Sequence, residues 1–443
     1  SEMCIRDRIR NLLVPVVLEQ ILNSIMGTAD TMMVSNVGSA ALSAVSLVDS
    51  INILLIQAFS ALAAGGAIVC AQYIGQKNYE KANMSARQVL FIITAISVAV
   101  SAVCLIFQKP LLRFIFGAVE ADVMRASETY FFFTALSFPF IAAYDSAASI
   151  FRAQENTKGP MTISMISNVM NIGGNAILIW VFHLGVAGAA LSTLASRIFC
   201  AVVVLYQLRK DRQPIVVRDY LKIRPDWSMI KRILGLGIPS GIENSMFQLG
   251  KLAIQSTVST LGTTAIAAQA MTNILENLNG IAAIGVGVGL MTIVGQCLGA
   301  GRKDEAVYYI KKLCVIAEAV IIASCLVVYI LARPVTILGG MEKESAAMCI
   351  HMITWITIVK PLVWTMGFVP GYGLRAAGDV KFSMITSCCT MWSCRFCLCV
   401  FLIRVMDFGP MGVWIGMFAD WTVRGIIFTW RFHSRKWLEH KVI

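Results

Sequence analysis

The sequence predicts an all-α polytopic membrane protein. Twelve transmembrane helices are expected in two six-helix lobes, related by a pseudo-twofold axis along the membrane normal. Three observations predict this: sparse charge, a dozen apolar runs of bilayer length, and an internal duplication.

Of the 443 residues, 57% are hydrophobic and 14% are charged. A soluble globular chain carries about 25% charge. The apolar runs reach the roughly 20 residues that a bilayer core requires. Spans 1–6 are expected near residues 11–34, 41–74, 87–107, 126–151, 161–182 and 186–208. Spans 7–12 are expected near 233–261, 265–298, 306–332, 346–373, 383–403 and 412–430. The remaining organisation follows. Residues 1–10 form a polar N-terminal segment, excluded from fold reasoning. Residues 11–208 form an N-terminal lobe, 209–232 a cytoplasmic linker, 233–430 a C-terminal lobe, and 431–443 a basic tail.

The net charge of +12 could suggest nucleic acid. Topology explains it better, because Lys and Arg concentrate in cytoplasmic loops. With both termini inside, 26 of the 37 Lys and Arg fall on cytoplasmic segments, 6 on outer ones and 5 within spans. A multi-pass protein of a bacterial-type plasma (inner) membrane with cytoplasmic termini is expected. The 13 cysteines show no extracellular framework. The pair Cys394 and Cys397 lacks a second pair at zinc spacing, so these cysteines read as small apolar helix residues.

The duplication is specific. PVVLEQILNSIMGTADTMMVSNVGSA, from Pro15, recurs 224 residues later as PSGIENSMFQLGKLAIQSTVSTLGTT, from Pro239. Glu19 falls on Glu243 and Gly38 on Gly262, but Asp30 falls on Ile254. The register continues through Gln72 with Gln296 and Gly75 with Gly299. FRAQENTK (151–158) meets LRAAGDVK (374–381) with a shift of one, and Gly185 meets Gly409. An even number of spans per half makes the halves parallel, and a cavity between such halves suits alternating access.

Ionisable groups inside a span are costly and mark candidate functional positions. Asp30, late in span 1, is the first. A carboxyl that can be neutral or charged suits coupling to a proton or a sodium ion. Asp145 in span 4 is a second acid that would titrate with Asp30 as a coupled pair if both face one cavity. Asn171 and Asn175 in span 5 share one helix face with the spacing i, i+4, and Thr193 in span 6 can complete an oxygen-rich group. Glu19 and Glu243 hold equivalent places and read as gating or structural charges. Lys251, mid-span 7, is expected to pair with Glu276 in span 8, with Glu243 as the second choice. Arg197, Arg395 and Arg424 are expected near helix ends, where long side chains snorkel. No Walker loop, HExxH or GxSxG is present, which argues against ATP drive and against an enzyme. The expected partners are small organic substrates and the lipid bilayer, with no nucleic acid and a monomeric chain. No cofactor is expected, and no metal beyond Na+ at the coupling site.

These residues resemble the multidrug and toxic compound extrusion (MATE) transporters. The resemblance rests on Pro15 and Asp30 in span 1, on the loops AQYIGQKN and GQCLGAGR, and on the FRAQENTK and LRAAGDVK pair. It covers nearly the whole chain. It implies a MATE-like fold and a secondary antiporter that exchanges a proton or sodium ion for organic, often cationic, compounds. It implies a first-lobe cation site at Asp30, Asp145, Asn171, Asn175 and Thr193. Some members carry acids in spans 7 and 10. Here Phe247 and Trp364 stand at those places, which argues against a second cation site. A lipid-linked oligosaccharide flippase of the same superfamily is the alternative.

Overall fold

A computed structural model describes residues 2–443 except 118, 211, 212 and 219. The side chains of residues 2–5, 26, 28–31, 35, 39 and 221 also lie outside the described part. All regular elements among the described residues are helical. They are α1 (Glu2–Ser35), α2 (Ser39–Gly75), α3 (Tyr79–Ile106), α4 (Gln108–Phe116), α5 (Ala121–Leu136), α6 (Phe138–Ala153), α7 (Lys158–Asn175) and α8 (Val186–Leu208). There follow α9 (Trp227–Val258), α10 (Thr263–Gly299), α11 (Lys303–Leu338), α12 (Lys343–Ala376), α13 (Val380–Cys389), α14 (Leu398–Arg404) and α15 (Met411–Ser434). Short π-helical stretches, Ala176–Val181 and Thr390–Cys397, extend α7 and join α13 to α14.

These helices make twelve long passages among the described residues. Eight are long and apolar enough to cross a bilayer, and α5 with α6 makes a ninth, bent by 42°. The bend has a local cause. Pro139 lies at the start of α6, and proline cannot donate to the preceding turn. Just before it, the Ser137 hydroxyl donates to the Thr134 carbonyl at 2.5 Å. Of the other three passages, α9 and α15 carry charges that dilute their apolarity, Glu243 and Lys251 on the first and Asp420 and Arg424 on the second, while α1 includes side chains outside the described residues. Helix α4 forms inside a segment expected as loop, burying Leu112 and exposing Phe114. On α11, Val315, Ile322, Leu326, Ile330 and Ile337 are exposed. Their spacing puts them on one helix face, an apolar stripe that suits lipid.

The chain divides into two compact units. One is Ser1–Pro15 with Leu22–Gly241, and the other is Val16–Ile21 with Ile242–Ile443. In the first, α2 packs on α3, α5 and α6, and α8 packs on α5, α6 and α7. In the second, α10, α11 and α12 pack on one another, and α15 packs on α12 and α14. The linker is hydrogen-bonded into the first unit. The Val216 and Ile215 amides donate to Asn83 at 2.8 Å and Gln154 at 3.0 Å. Gln88 bridges the Arg224 carbonyl and the Asp226 amide.

The duplication is written in the turns. Left-handed backbone occurs at Gly38 and Gly262, at Lys77 and Gly301, at His183 and Asp407, and at Gly185 and Gly409. Each pair is 224 residues apart. Glu155 and Gly378 repeat with the shift of one seen in their loops. Lys77, Glu155, His183 and Asp407 keep this geometry without being glycine, which points to turns fixed by the helices they join.

Close helix approaches also recur. Gly285 of α10 faces Val17 of α1, where a Cβ would meet the Val17 Cα at 2.9 Å. Gly65 of α2 faces Gly237 of α9, where a Cβ would meet the Gly237 nitrogen at 2.6 Å. Backbone cannot yield as a side-chain tip can, so Gly65→Ala is predicted to destabilise the protein by about 1–3 kcal/mol. Gly235→Ala, in open space on the same helix α9, should not lower stability, because alanine favours helix. Unfolding midpoints of the two variants in detergent check the contrast.

Candidate functional site

In the first unit the polar side chains lie on mutually packed helices. Asp145 of α6 accepts from Ser60 of α2 at 2.9 Å. Tyr130 of α5 donates to Asp49 of α2 at 3.0 Å. Arg197 of α8 donates to the Ser137 hydroxyl at 2.6 Å and lies within electrostatic range of both Asp49 and Asp145. This cluster holds two carboxylates to one guanidinium. Arg197 is therefore an internal charge of the unit, not a snorkelling one.

Helix α7 presents its asparagines to two neighbours. Asn168 donates to Asn23 of α1 at 2.6 Å, and Ser164 donates to the same oxygen at 2.9 Å. Asn171 accepts from Ser192 of α8 at 3.0 Å through its side chain and at 2.7 Å through its carbonyl. Asn175 is fully buried at the point where α7 changes to π-helical winding. Such single-turn widenings often accompany functional positions. Thr193 donates to the Ala189 carbonyl of its own helix at 3.1 Å, so its hydroxyl is held locally. Asp30 is a residue of α1, and its side chain lies outside the described residues. A groove of about 380 Å³ between α7 and α8, lined by Lys158, Thr162, Phe199 and Gln207 among others, contains none of these residues.

The second unit is organised differently. Glu276 of α10 does not pair with Lys251. Its carboxylate lies 2.9 Å from Lys360 of α12, which also donates to Asn279 at 2.5 Å and to the Glu276 carbonyl at 3.2 Å. Geometry gives the reason: Lys360 is buried on a helix packed against α10, and its stem leads straight to the carboxylate. Glu243 is also taken. It accepts from Ser387 at 2.7 Å, from Ser383 at 3.1 Å and from Arg375 at 3.3 Å, tying α9 to α12 and α13. Glu19 is buried to 2% exposure. Lys251 has no ion pair within 4 Å among the described residues, and its ammonium lies 4.8 Å from the centre of the Phe247 ring.

Arg395 and Arg424 are interior residues, at 3% and 4% exposure, and do not snorkel. They share Asp420 of α15, at 4.0 Å and 3.5 Å. Both guanidinium groups also face aromatic rings. Arg395 lies 5.1 Å from the Phe247 centre, and Arg424 lies 5.9 Å from Phe247 and 4.7 Å from Phe368. Lys360 faces Trp364 at 5.2 Å and Trp421 at 5.7 Å. The places where the resemblance implies acids thus hold rings whose negative faces receive cations. Asp49, Asp420 and Lys360 carry much of this chemistry and were missed as sites. Their signal was present, because each is an ionisable residue inside an apolar run.

The chain matches the MatE family model over residues 15–177 and 239–401. It is similar to the probable multidrug resistance protein NorM of Thermotoga maritima, at 24% identity over 99% of this chain and 94% of that one. It is similar to the uncharacterized transporter YisQ of Bacillus subtilis, at 26% identity over 96% and 93%. A crystal structure of MATE in the bent conformation superposes with a TM-score of 0.88 at 19% identity, over 97% of this chain and 95% of that one. The protein belongs to the MATE family, whose members are membrane transporters and not enzymes. None of these matches supports the oligosaccharide flippase alternative.

Breaking the buried pair tests the second cluster. Lys360→Met leaves the part-buried Glu276 without its bonded partner and is predicted to cost about 1–3 kcal/mol. Adding Glu276→Gln should recover a large part of that loss. Thermal unfolding of the single and double variants in detergent measures the coupling.

Proposed function

We propose that this protein is a secondary active efflux antiporter. It expels small organic compounds, cationic ones among them, in exchange for a proton or a sodium ion. It works in a plasma membrane of bacterial type with both termini cytoplasmic, by alternating access, and it needs no cofactor beyond the coupling ion.

The observation that carries this reading is the acid-rich interior of the first unit. Asp49 and Asp145 face one guanidinium, and amide and hydroxyl oxygens of Asn171, Asn175 and Ser192 lie on the neighbouring helices. Carboxylate, carbonyl and hydroxyl oxygens are the hard ligands that a proton or sodium ion takes. Asp30 belongs to the same unit and is assigned as the coupling acid, supported by Asp145, Asn171, Asn175 and Thr193. The names of the relatives support export of drugs as the physiological direction.

The test uses cells that accumulate a fluorescent organic cation. Expression of the protein should lower accumulation. Asp30→Asn should raise it to the level of cells without the protein while membrane insertion stays unchanged. Normal efflux by that variant would remove Asp30 from the coupling role.

A further inference from the structure

We infer that the second unit holds a binding site for an organic carboxylate with an aromatic or apolar body, built by Lys251, Arg395 and Arg424 around the Phe247 ring. The inference deepens the efflux reading, on which it rests for treating the ligand as cargo.

Three cationic groups lie within 6 Å of one phenyl centre: Lys251 at 4.8 Å, Arg395 at 5.1 Å and Arg424 at 5.9 Å. A ring face attracts a cation but carries no net charge to neutralise it. One carboxylate, Asp420, serves the two arginines, at the long distances of 3.5 Å and 4.0 Å. Glu276 lies within electrostatic range of Lys251 and Arg395, but its hydrogen-bonding oxygen is held by Lys360 at 2.9 Å. Among the described residues, four cations (Lys251, Lys360, Arg395 and Arg424) and two carboxylates (Asp420 and Glu276) therefore share this cluster, an excess of two positive charges, and the Glu243–Arg375 pair, which Arg424 reaches through Ser387, adds one of each sign. Charges inside a membrane protein pair with one another or face a water-filled cavity. Lys251 is exposed, so a ligand can reach it. Arg424 is 4% exposed, yet its Nε has no hydrogen-bond acceptor among the described residues.

The missing component is an anion. A planar carboxylate matches the fork of a guanidinium, and its second oxygen can take the Lys251 ammonium. The walls favour an aromatic body. Phe247 lies between the cations, and Trp364 and Phe368 stack with centres 4.9 Å apart, the latter under Arg424. An inorganic anion would satisfy the charge but leave these rings uncovered.

The test is equilibrium binding of 1-naphthoate to the purified full chain in detergent, by calorimetry, beside acetate and uncharged 1-naphthamide. Naphthoate should bind, and acetate and naphthamide should bind at least about tenfold more weakly, since a charge-assisted contact and an aromatic contact are each lost. Lys251→Met should weaken naphthoate by about tenfold or more, and Lys251→Arg should restore it. Melting curves of both variants establish that they are folded. Phe247→Leu, which keeps the cations, should weaken naphthoate more than acetate. No naphthoate binding, equal binding by wild type and a folded Lys251→Met, or equal binding of acetate and naphthoate would overturn the assignment. This measurement needs no ion gradient, so its failure leaves the coupling role of Asp30 standing, and loss of that role leaves this site standing.

Discussion

A charge inside a bilayer-spanning helix must find a partner, a ring face or water, and this constraint shapes the interior of both units. In low dielectric an unpaired charge is expensive. Lys360 meets it with a carboxylate and an amide, and Glu243 with two hydroxyls and a guanidinium. Asp420 divides itself between two arginines. The helices that carry these groups are among those least apolar by composition, so position in the bundle stands in for hydrophobicity. Where partners run short, as at Lys251, the charge stays accessible.

The duplicated scaffold sharpens this point. Both halves keep the same turns, down to left-handed backbone at His183 and Asp407, and both keep a glutamate one turn after the proline of the first helix. Their interior charges have diverged. The first-unit cluster has two carboxylates to one cation, and the second has four cations to two carboxylates. The duplicated frame is thus held constant while the balance of charge in its two interiors differs in sign.

Much of the fold was legible in the sequence. Runs of bilayer length, the 224-residue register and the loop pairs placed the twelve passages. Helix α4 was not legible, since a nine-residue amphipathic segment between spans looks like a loop. Polar residues are rare in spans, so Asp145, Asn171 and Asn175 stand out in the sequence, but their partners Ser60 and Ser192 were not legible there. Rarity of charge in spans points Lys251 to Glu276, with Glu243 second, whereas the geometry that favours Lys360 depends on which faces α10 and α12 turn to each other. Burial of Arg395 and Arg424 escaped for a similar reason: distance from a span end does not say whether a side chain points to lipid or to a neighbour.

The most direct test of the account is transport by the purified protein in liposomes, with proton and sodium gradients imposed separately and uptake of a fluorescent organic cation followed. Uptake driven by one of the two gradients, and abolished when that gradient is collapsed, is the predicted result. Equal movement of the cation with neither gradient present would contradict an antiporter coupled through the acids of its first unit.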